Sequence, residues 1–312
     1  MVNAVPNSQI MCDVLVEAGK NNKDIFVLTS DSRGSGKLTN FAETLPNQIV
    51  EVGIAEQNLV SIAAGLAHSG KRPFAVSPAC FLSMRSIEQV KVDVAYSETN
   101  VKLVGISGGV SYGALGMSHH SLQDFAVTRA IPNLQVYCPA DNRETKALFK
   151  ALVENNQGAY IRLGRSAVPD VYEMDDFGFE LGKANIVKKG TDITLIGIGE
   201  TVYRVLEAAE LLAKKGISAM VIDVHSLKPF DKETVVAASK ATGSVITVEE
   251  HSPYGGLGSA VAGSLSEETG VKHRIIALPD DELITGESRE VFDYYGLTGE
   301  KIAVQALDLL KS

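Results

Sequence analysis

Glu56 stands at the entrance of the mostly small and apolar segment that ends residues 51 to 69, E-V-G-I-A-E-Q-N-L-V-S-I-A-A-G-L-A-H-S. An acid in that position can hold a proton or hydrogen-bond a bound heterocycle. Two influences oppose each other there. The start of a helix favours the ionised form, whereas packing against Ile54, Leu59 and Ile62 resists ionisation and raises the pKa. The sequence leaves the balance open, and a first-turn acid also serves simply to complement the helix dipole. His119 and His120, in G-M-S-H-H-S-L-Q-D, offer imidazoles that titrate near neutrality, or loop histidines bonded to backbone. Arg165 closes I-R-L-G-R, where a guanidinium fork suits a phosphate or is plain surface charge. Asp31 and Ser35 lie in S-D-S-R-G-S-G-K, a ligand loop or an ordinary turn.

The elements that must position these groups alternate. Helical spacing covers Ser8 to Gly19, with Gly19 as the expected stop, and a short apolar strand follows at Asp24 to Thr29. Strands are expected at Gln48 to Val52, Arg72 to Ser77, Val101 to Ile106 and Ala159 to Leu163. Gly53 permits a tight turn before the Glu56 helix. Phe81 to Tyr96 reads as one amphipathic helix whose Phe81, Met84 and Ile87 share a face, usually a core stripe. Ser121 and Asp124 form a capping-box-like start that holds the two histidines before the next helix, and Asp141 with Glu144 opens another. Residues 166–182 break the periodicity and read as a linker. Beyond them strands and helices alternate again to about Leu278. The expected fold is α/β, with two doubly wound domains (1–165 and 183–312), each a mostly parallel sheet flanked by helices. In such sheets ligands bind beyond the carboxyl ends of the strands, where the loop at Ser30 to Lys37 lies.

G-I-A-E-Q-N with its small-residue helix resembles the pyrimidine-binding domain of thiamine-diphosphate enzymes of the transketolase type. E-Q-V-K-V-D-V-A-Y, G-M-S-H and I-P-N-L-Q-V-Y-C-P-A-D extend the resemblance, and D-V-H-S-L-K-P-F-D and E-E-H-S-P-Y-G-G-L-G extend it through the second half. The resemblance implies that Glu56 hydrogen-bonds the cofactor's aminopyrimidine and favours the imino tautomer that generates the ylid. It makes Phe81 the first of an aromatic cluster around that ring. Met84 and Ile87 replace later aromatic positions, and Ile54, Met84 and Asp31 lie near the cofactor. It places His119, with His120 second, at the donor's oxygens, and Ser35 and Arg165 at a substrate phosphate. Gly255 to Gly258 can in principle hold an anion at a helix start; the resemblance assigns it to packing.

Only the second and third domains of a full transketolase are represented. G-D-G followed by a distant Asn, the family's magnesium and diphosphate motif, is absent. The resemblance therefore implies a split enzyme: thiamine diphosphate, with Mg2+ bound mainly by a separate N-terminal diphosphate-binding subunit, in an α2β2 assembly. Ordinary transketolases carry an arginine near Ser8 or Gln9, a histidine near Ser107 and an aspartate near Leu115. Their loss weakens the expected grip on a sugar phosphate and implies two-carbon ketol transfer from a ketose phosphate or a modified ketose, an unusual sugar such as a branched, deoxy or sulfonated one. The alternatives are a 1-deoxyxylulose-5-phosphate synthase, a 2-oxo-acid dehydrogenase β subunit, or a non-catalytic partner subunit.

At 312 residues, 45% hydrophobic and 21% charged, with a net charge of −9, the composition is that of a globular protein with no basic footprint for nucleic acid or anionic membrane. Cys12, Cys80 and Cys138 are too scattered for a metal motif and read as buried thiols in a reducing compartment. With neither a leader nor a membrane span in the sequence, the expected location is cytoplasmic.

Overall fold

The computed structural model describes residues 5–312. The first half runs α1 (Asn7–Asn21), β1 (Ile25–Thr29), α2 (Thr39–Thr44), β2 (Ile49–Glu51), α3 (Glu56–His68), β3 (Arg72–Pro78), α4 (Ala79–Met84), α5 (Ile87–Gln89), β4 (Lys102–Ile106), α6 (Asp124–Ala130), β5 (Gln135–Tyr137), α7 (Asn142–Glu154) and β6 (Ala159–Arg162). The second runs β7 (Asn185–Lys188), β8 (Ile193–Gly197), α8 (Thr201–Ala213), β9 (Ala219–Asp223), β10 (Ser226–Lys228), α9 (Lys232–Thr242), β11 (Ser244–Val248), α10 (Leu257–Leu265), β12 (Lys272–Ile276), α11 (Ser288–Tyr295) and α12 (Gly299–Lys311).

Two sheets result, β10-β5-β6-β4-β3-β1-β2 and β12-β11-β8-β9-β7. All neighbours are parallel except the edge strands β10 and β7, which pair antiparallel with β5 and β9. Strands β4, β8 and β11 are buried along their whole length, as strands covered by helices on both faces must be. The α/β expectation is met. One strand departs from a simple division: β10, from the second half of the chain, completes the first sheet.

Three local expectations are corrected. Gly19 does not end α1, which continues to Asn21; it is buried because a Cβ there would stand 2.6 Å from Leu45 Cδ1. Phe81 to Tyr96 is not one helix but α4, α5 and a π-helical stretch at Val90–Tyr96. Ser83 and Ser86 donate their hydroxyls to Ala79 O and Leu82 O at 2.7 and 2.6 Å, local bonds of the kind that bend helices. Ser121 and Asp124 form no capping box: Gln123 holds the N-cap position of α6 without a side-chain capping bond, and Asp124 accepts from Tyr160 Oη at 2.7 Å. Asp141 does cap α7, accepting from Glu144 N at 2.9 Å, and its second oxygen accepts from Val171 and Tyr172 N. Residues 166–182 thus carry no helix and no strand of either sheet, yet they are pinned: Tyr172 Oη donates to Asp223 Oδ2 at 2.7 Å.

Candidate active site

Because the strands of the first sheet run parallel, the loops after β1, β2, β3, β4 and β6 all leave from one edge. Those loops or the helices they open carry Ser35, Glu56, Phe81, His119 and Arg165 respectively. Glu56 is the first residue of α3 and is 2% exposed; its Oε2 accepts from Arg85 Nη1 at 2.7 Å. Gly53, at φ 72, makes the turn that aims it. Glu51 secures the turn, its Oε1 accepting from Gly53 N and Asp31 N at 3.0 and 2.7 Å.

From Glu56 an unbroken series of contacts crosses the edge. The Arg85 guanidinium, bonded to Glu56, lies 4.4 Å from the centroid of the Phe81 ring. Phe81 meets His119 edge to face at 5.2 Å, and His119 meets Tyr112 in the same manner at 5.7 Å. Tyr112 in turn carries Arg165 over its ring at 4.7 Å, and its hydroxyl stands 3.5 Å from Ser35 Oγ. Glu56, Phe81, His119, Ser35 and Arg165 are thereby joined. The two linking residues, Arg85 and Tyr112, do not stand out in the sequence; Arg85 has a readable signal as a cation inside an apolar stripe, whereas Tyr112 has none.

The remaining candidates divide. Ile54, at 75% exposed, and Met84, at 50%, are uncovered, so the Phe81–Met84–Ile87 face is only partly core: Ile87 packs against the core, Phe81 is half-buried and Met84 is open. Asp31 is held at φ 55 and bonded through its N–H to Glu51, and its carboxylate makes no bond to the cluster among the described residues. His120 is buried, neither ring nitrogen has a hydrogen-bond partner among the described residues, and burial pushes its pKa down; it is not part of the series of contacts that joins His119 to the other candidates. His119, with Nδ1 2.9 Å from Ser118 Oγ, is the imidazole that faces the site.

The departures from ordinary transketolases fall unequally. Leu115 is half exposed on the His119 loop. Ser107 is buried at φ 56 with no partner for its hydroxyl among the described residues. Ser8 is buried in α1 and Gln9 bonds Asp13.

Behind this edge the two halves meet over a buried ionic cluster. Arg162, on β6, donates to Glu250 O at 2.8 Å and Oε2 at 3.1 Å, and lies 3.5 Å from Asp124 Oδ1. Glu250 Oε1 accepts from Val110 N at 2.6 Å, in the loop that carries Tyr112 and His119. Nearby, the half-buried Glu200 has its Oε1 buried and unpaired among the described residues, and desolvation raises its pKa and that of Glu250. Gly109 is required here, since its φ is 60 and a Cβ would meet Glu250 at 2.1 Å. The glycine run before α10 does hold an anion at a helix start, but an internal one: Glu249 accepts from Leu257 N and Gly258 N at 2.7 and 2.8 Å. The assignment of that run to packing stands.

No group of three or more His, Cys, Asp or Glu side chains among the described residues could hold a metal, and no described helix is long and apolar enough to cross a membrane. All three cysteines are free and buried.

Residues 4–171 match the family model for the transketolase pyrimidine-binding domain and residues 182–302 that for the transketolase C-terminal domain. The chain belongs to the transketolase family, and over its length it matches the C-terminal subunit of split transketolases. An apulose-4-phosphate transketolase subunit of Phocaeicola vulgatus is 52% identical over 310 residues, covering 98% of this chain and 99% of that one. The 6-deoxy-6-sulfo-D-fructose transketolase subunit SqwH of Clostridium sp. is 38% identical, with 93% and 90% covered. The 1-deoxy-D-xylulose-5-phosphate synthase of Desulfotalea psychrophila is 35% identical, but only 47% of its length is matched. A solved structure described as a split gene transketolase, inactive beta4 tetramer, superposes with a TM-score of 0.89 at 39% identity, with 99% of both chains covered.

Proposed function

We propose that this chain is the catalytic β-type subunit of a split transketolase that transfers a two-carbon ketol unit from a branched ketose phosphate, of the apulose 4-phosphate type, to an aldose phosphate. Residues 1–165 form its pyrimidine-binding domain, 166–182 the linker and 183–312 the C-terminal domain. The observation that carries the reading is the continuous series from Glu56 through Arg85, Phe81, His119 and Tyr112 to Arg165 and Ser35.

The residues present fit the pyrimidine half of thiamine diphosphate. Glu56 offers a carboxylate whose Oε1 accepts no bond among the described residues, Phe81 offers a ring face, and Ile54 and Met84 offer uncovered apolar surface. Glu56 would hold the aminopyrimidine, with Phe81, Met84 and Ile54 around it and Asp31 at the rim. When bound, the cofactor supplies a carbanion that accepts the ketol unit. His119 then orients the donor's carbonyl and hydroxyl oxygens and moves a proton at the hydroxyl. Arg165 and Ser35 take the phosphate, a fixed distance from His119 because Tyr112 spaces them. Leu115 and Met117, both exposed, give the His119 loop apolar surface where a polar side chain would select a sugar hydroxyl.

Support for a partner comes from relatives of nearly the same length that are named as subunits. A separate N-terminal chain binds Mg2+ and the diphosphate, in an α2β2 complex in the cytoplasm. The test is ketol transfer with and without that chain, with thiamine diphosphate and Mg2+ present, across a panel of ketose donors. Turnover only in the mixture, with the branched donor preferred, is the expected result; xylulose 5-phosphate as clearly the best donor would overturn the substrate assignment. In the same assay Arg165→Ala should raise KM for a phosphorylated donor about 10- to 100-fold with a smaller change in kcat. The charge-assisted bond it removes contributes ~1.5–3 kcal/mol.

The 1-deoxyxylulose-5-phosphate synthase reading remains on the same Glu56 chemistry, and turnover of pyruvate with release of carbon dioxide would favour it.

A further inference from the structure

Arg85 occupies both surfaces that the proposed pyrimidine site requires. Its Nη1 is 2.7 Å from Glu56 Oε2, and its guanidinium carbon is 4.4 Å from the centroid of the Phe81 ring. Glu56, the residue meant to meet a cofactor, is only 2% exposed, while the Arg85 side chain that covers it is 47% exposed. Glu56 Oε1 accepts no bond among the described residues, but Oε2 is bonded to Arg85 and the same guanidinium stands against the Phe81 ring, so a planar ring placed between Glu56 and Phe81 meets Arg85 and one of the two must move. The half-exposed side chain is the one free to do so.

The chemistry of the two occupants is alike. A guanidinium and an aminopyrimidine are both planar, delocalised arrays of nitrogens with N–H donors at the rim. Both are satisfied by a carboxylate at one edge and an aromatic face. The break between α4 and α5 supplies the reach: Arg85 is the residue between Met84 and Ser86 where the helix is interrupted, on the same exposed side as Met84. Swinging outward takes the guanidinium of an already half-exposed side chain into water, so its release costs little beyond the bond itself. Held inward, it keeps Glu56 from being a buried, unpaired charge while the site is empty.

From this geometry we infer that Arg85 is an internal surrogate for the aminopyrimidine ring, latched on Glu56 and Phe81 and displaced when the cofactor binds, so that it sets the affinity for thiamine diphosphate. The inference rests on the pyrimidine site proposed above. It makes Arg85 a competitor of the cofactor and not a contact to it.

The test is a calorimetric titration of thiamine diphosphate, with Mg2+ present, into the assembled two-subunit complex carrying wild-type, Arg85→Met or Arg85→Lys chain. A competitor predicts that Arg85→Met binds the cofactor on the order of tenfold more tightly, ~1.4 kcal/mol. Arg85→Lys, which keeps the charge but loses the planar fork, should fall between the two. If the wild-type complex takes up the cofactor and Arg85→Met binds it equally or less tightly, the latch is wrong and the site stands. If neither takes it up, the site assignment falls and the latch with it.

Discussion

Glu56→Gln in the reconstituted complex is expected to lose two to four orders of magnitude of ketol transfer, the range attributed to a positioned proton-transfer group. Glutamine keeps the shape of the side chain and a carbonyl oxygen for Arg85, so packing at the head of α3 is retained. What it loses is the negative charge and the basicity that favour one tautomer of the aminopyrimidine. The partner it leaves, Arg85, is half exposed, so no fully buried charge is stranded and the thermal midpoint should move little. Steady-state rates measured beside a thermal melt of the same sample separate the two effects. A large loss of rate with an unchanged melt assigns Glu56 to the chemistry. Full activity with glutamine would mean that the chain supports catalysis only as a scaffold, the reading on which this subunit is a non-catalytic partner.

What could be read in the sequence, and what could not, divides by the range of the interactions. Glu56, Phe81, His119 and Arg165 each sit in a short motif at the end of a strand, and the parallel run of β2, β3, β4 and β6 brings their loops to one edge. Local pattern plus topology is enough for them. His120, one position on from His119 in the same loop, is buried without a hydrogen-bond partner among the described residues while His119 meets Phe81 and Tyr112, and no local pattern distinguishes the two. The expected Ser121–Asp124 cap fails because Asp124 has better partners far along the chain, Tyr160 and Arg162, and a tertiary bond outweighs a local cap. Gly19 misleads for a related reason: a glycine that permits close approach of Leu45 looks the same in sequence as one that ends a helix. The long helix over Phe81 to Tyr96 is broken by two serine back-bonds, and Arg85 owes its position to that break.

The ionic cluster between the two halves has one visible sign, an arginine in the buried strand A-Y-I-R, but its acids come from positions 124, 200 and 250 and no spacing connects them. Its contribution is large and testable. Arg162→Met should destabilise the chain by ~3–5 kcal/mol, because removing one partner of a buried ion pair leaves the other charges uncompensated. Here two buried acids, Asp124 and Glu250, lie against that guanidinium, and Glu200 is near enough to feel its charge. The pH dependence has a definite sign. Burial holds Glu200 and Glu250 above the ordinary carboxyl range, so the native state keeps protons that the unfolded chain releases. Stability from these groups is complete below the unfolded carboxyl pKa of about 4.3 and falls as pH rises through the higher native values. Without Arg162 the acids lose the cation that opposes this rise, so the fall should become steeper and reach to higher pH. Urea denaturation of both proteins across a pH series measures it. Arg162→Met should lose more stability at pH 8 than at pH 5, and an equal loss at both would show that the acids are neutralised independently of the arginine. Because Glu250 Oε1 also accepts from Val110 N, the same substitution loosens the loop that carries Tyr112 and His119. Activity should therefore fall at temperatures where the variant is still folded.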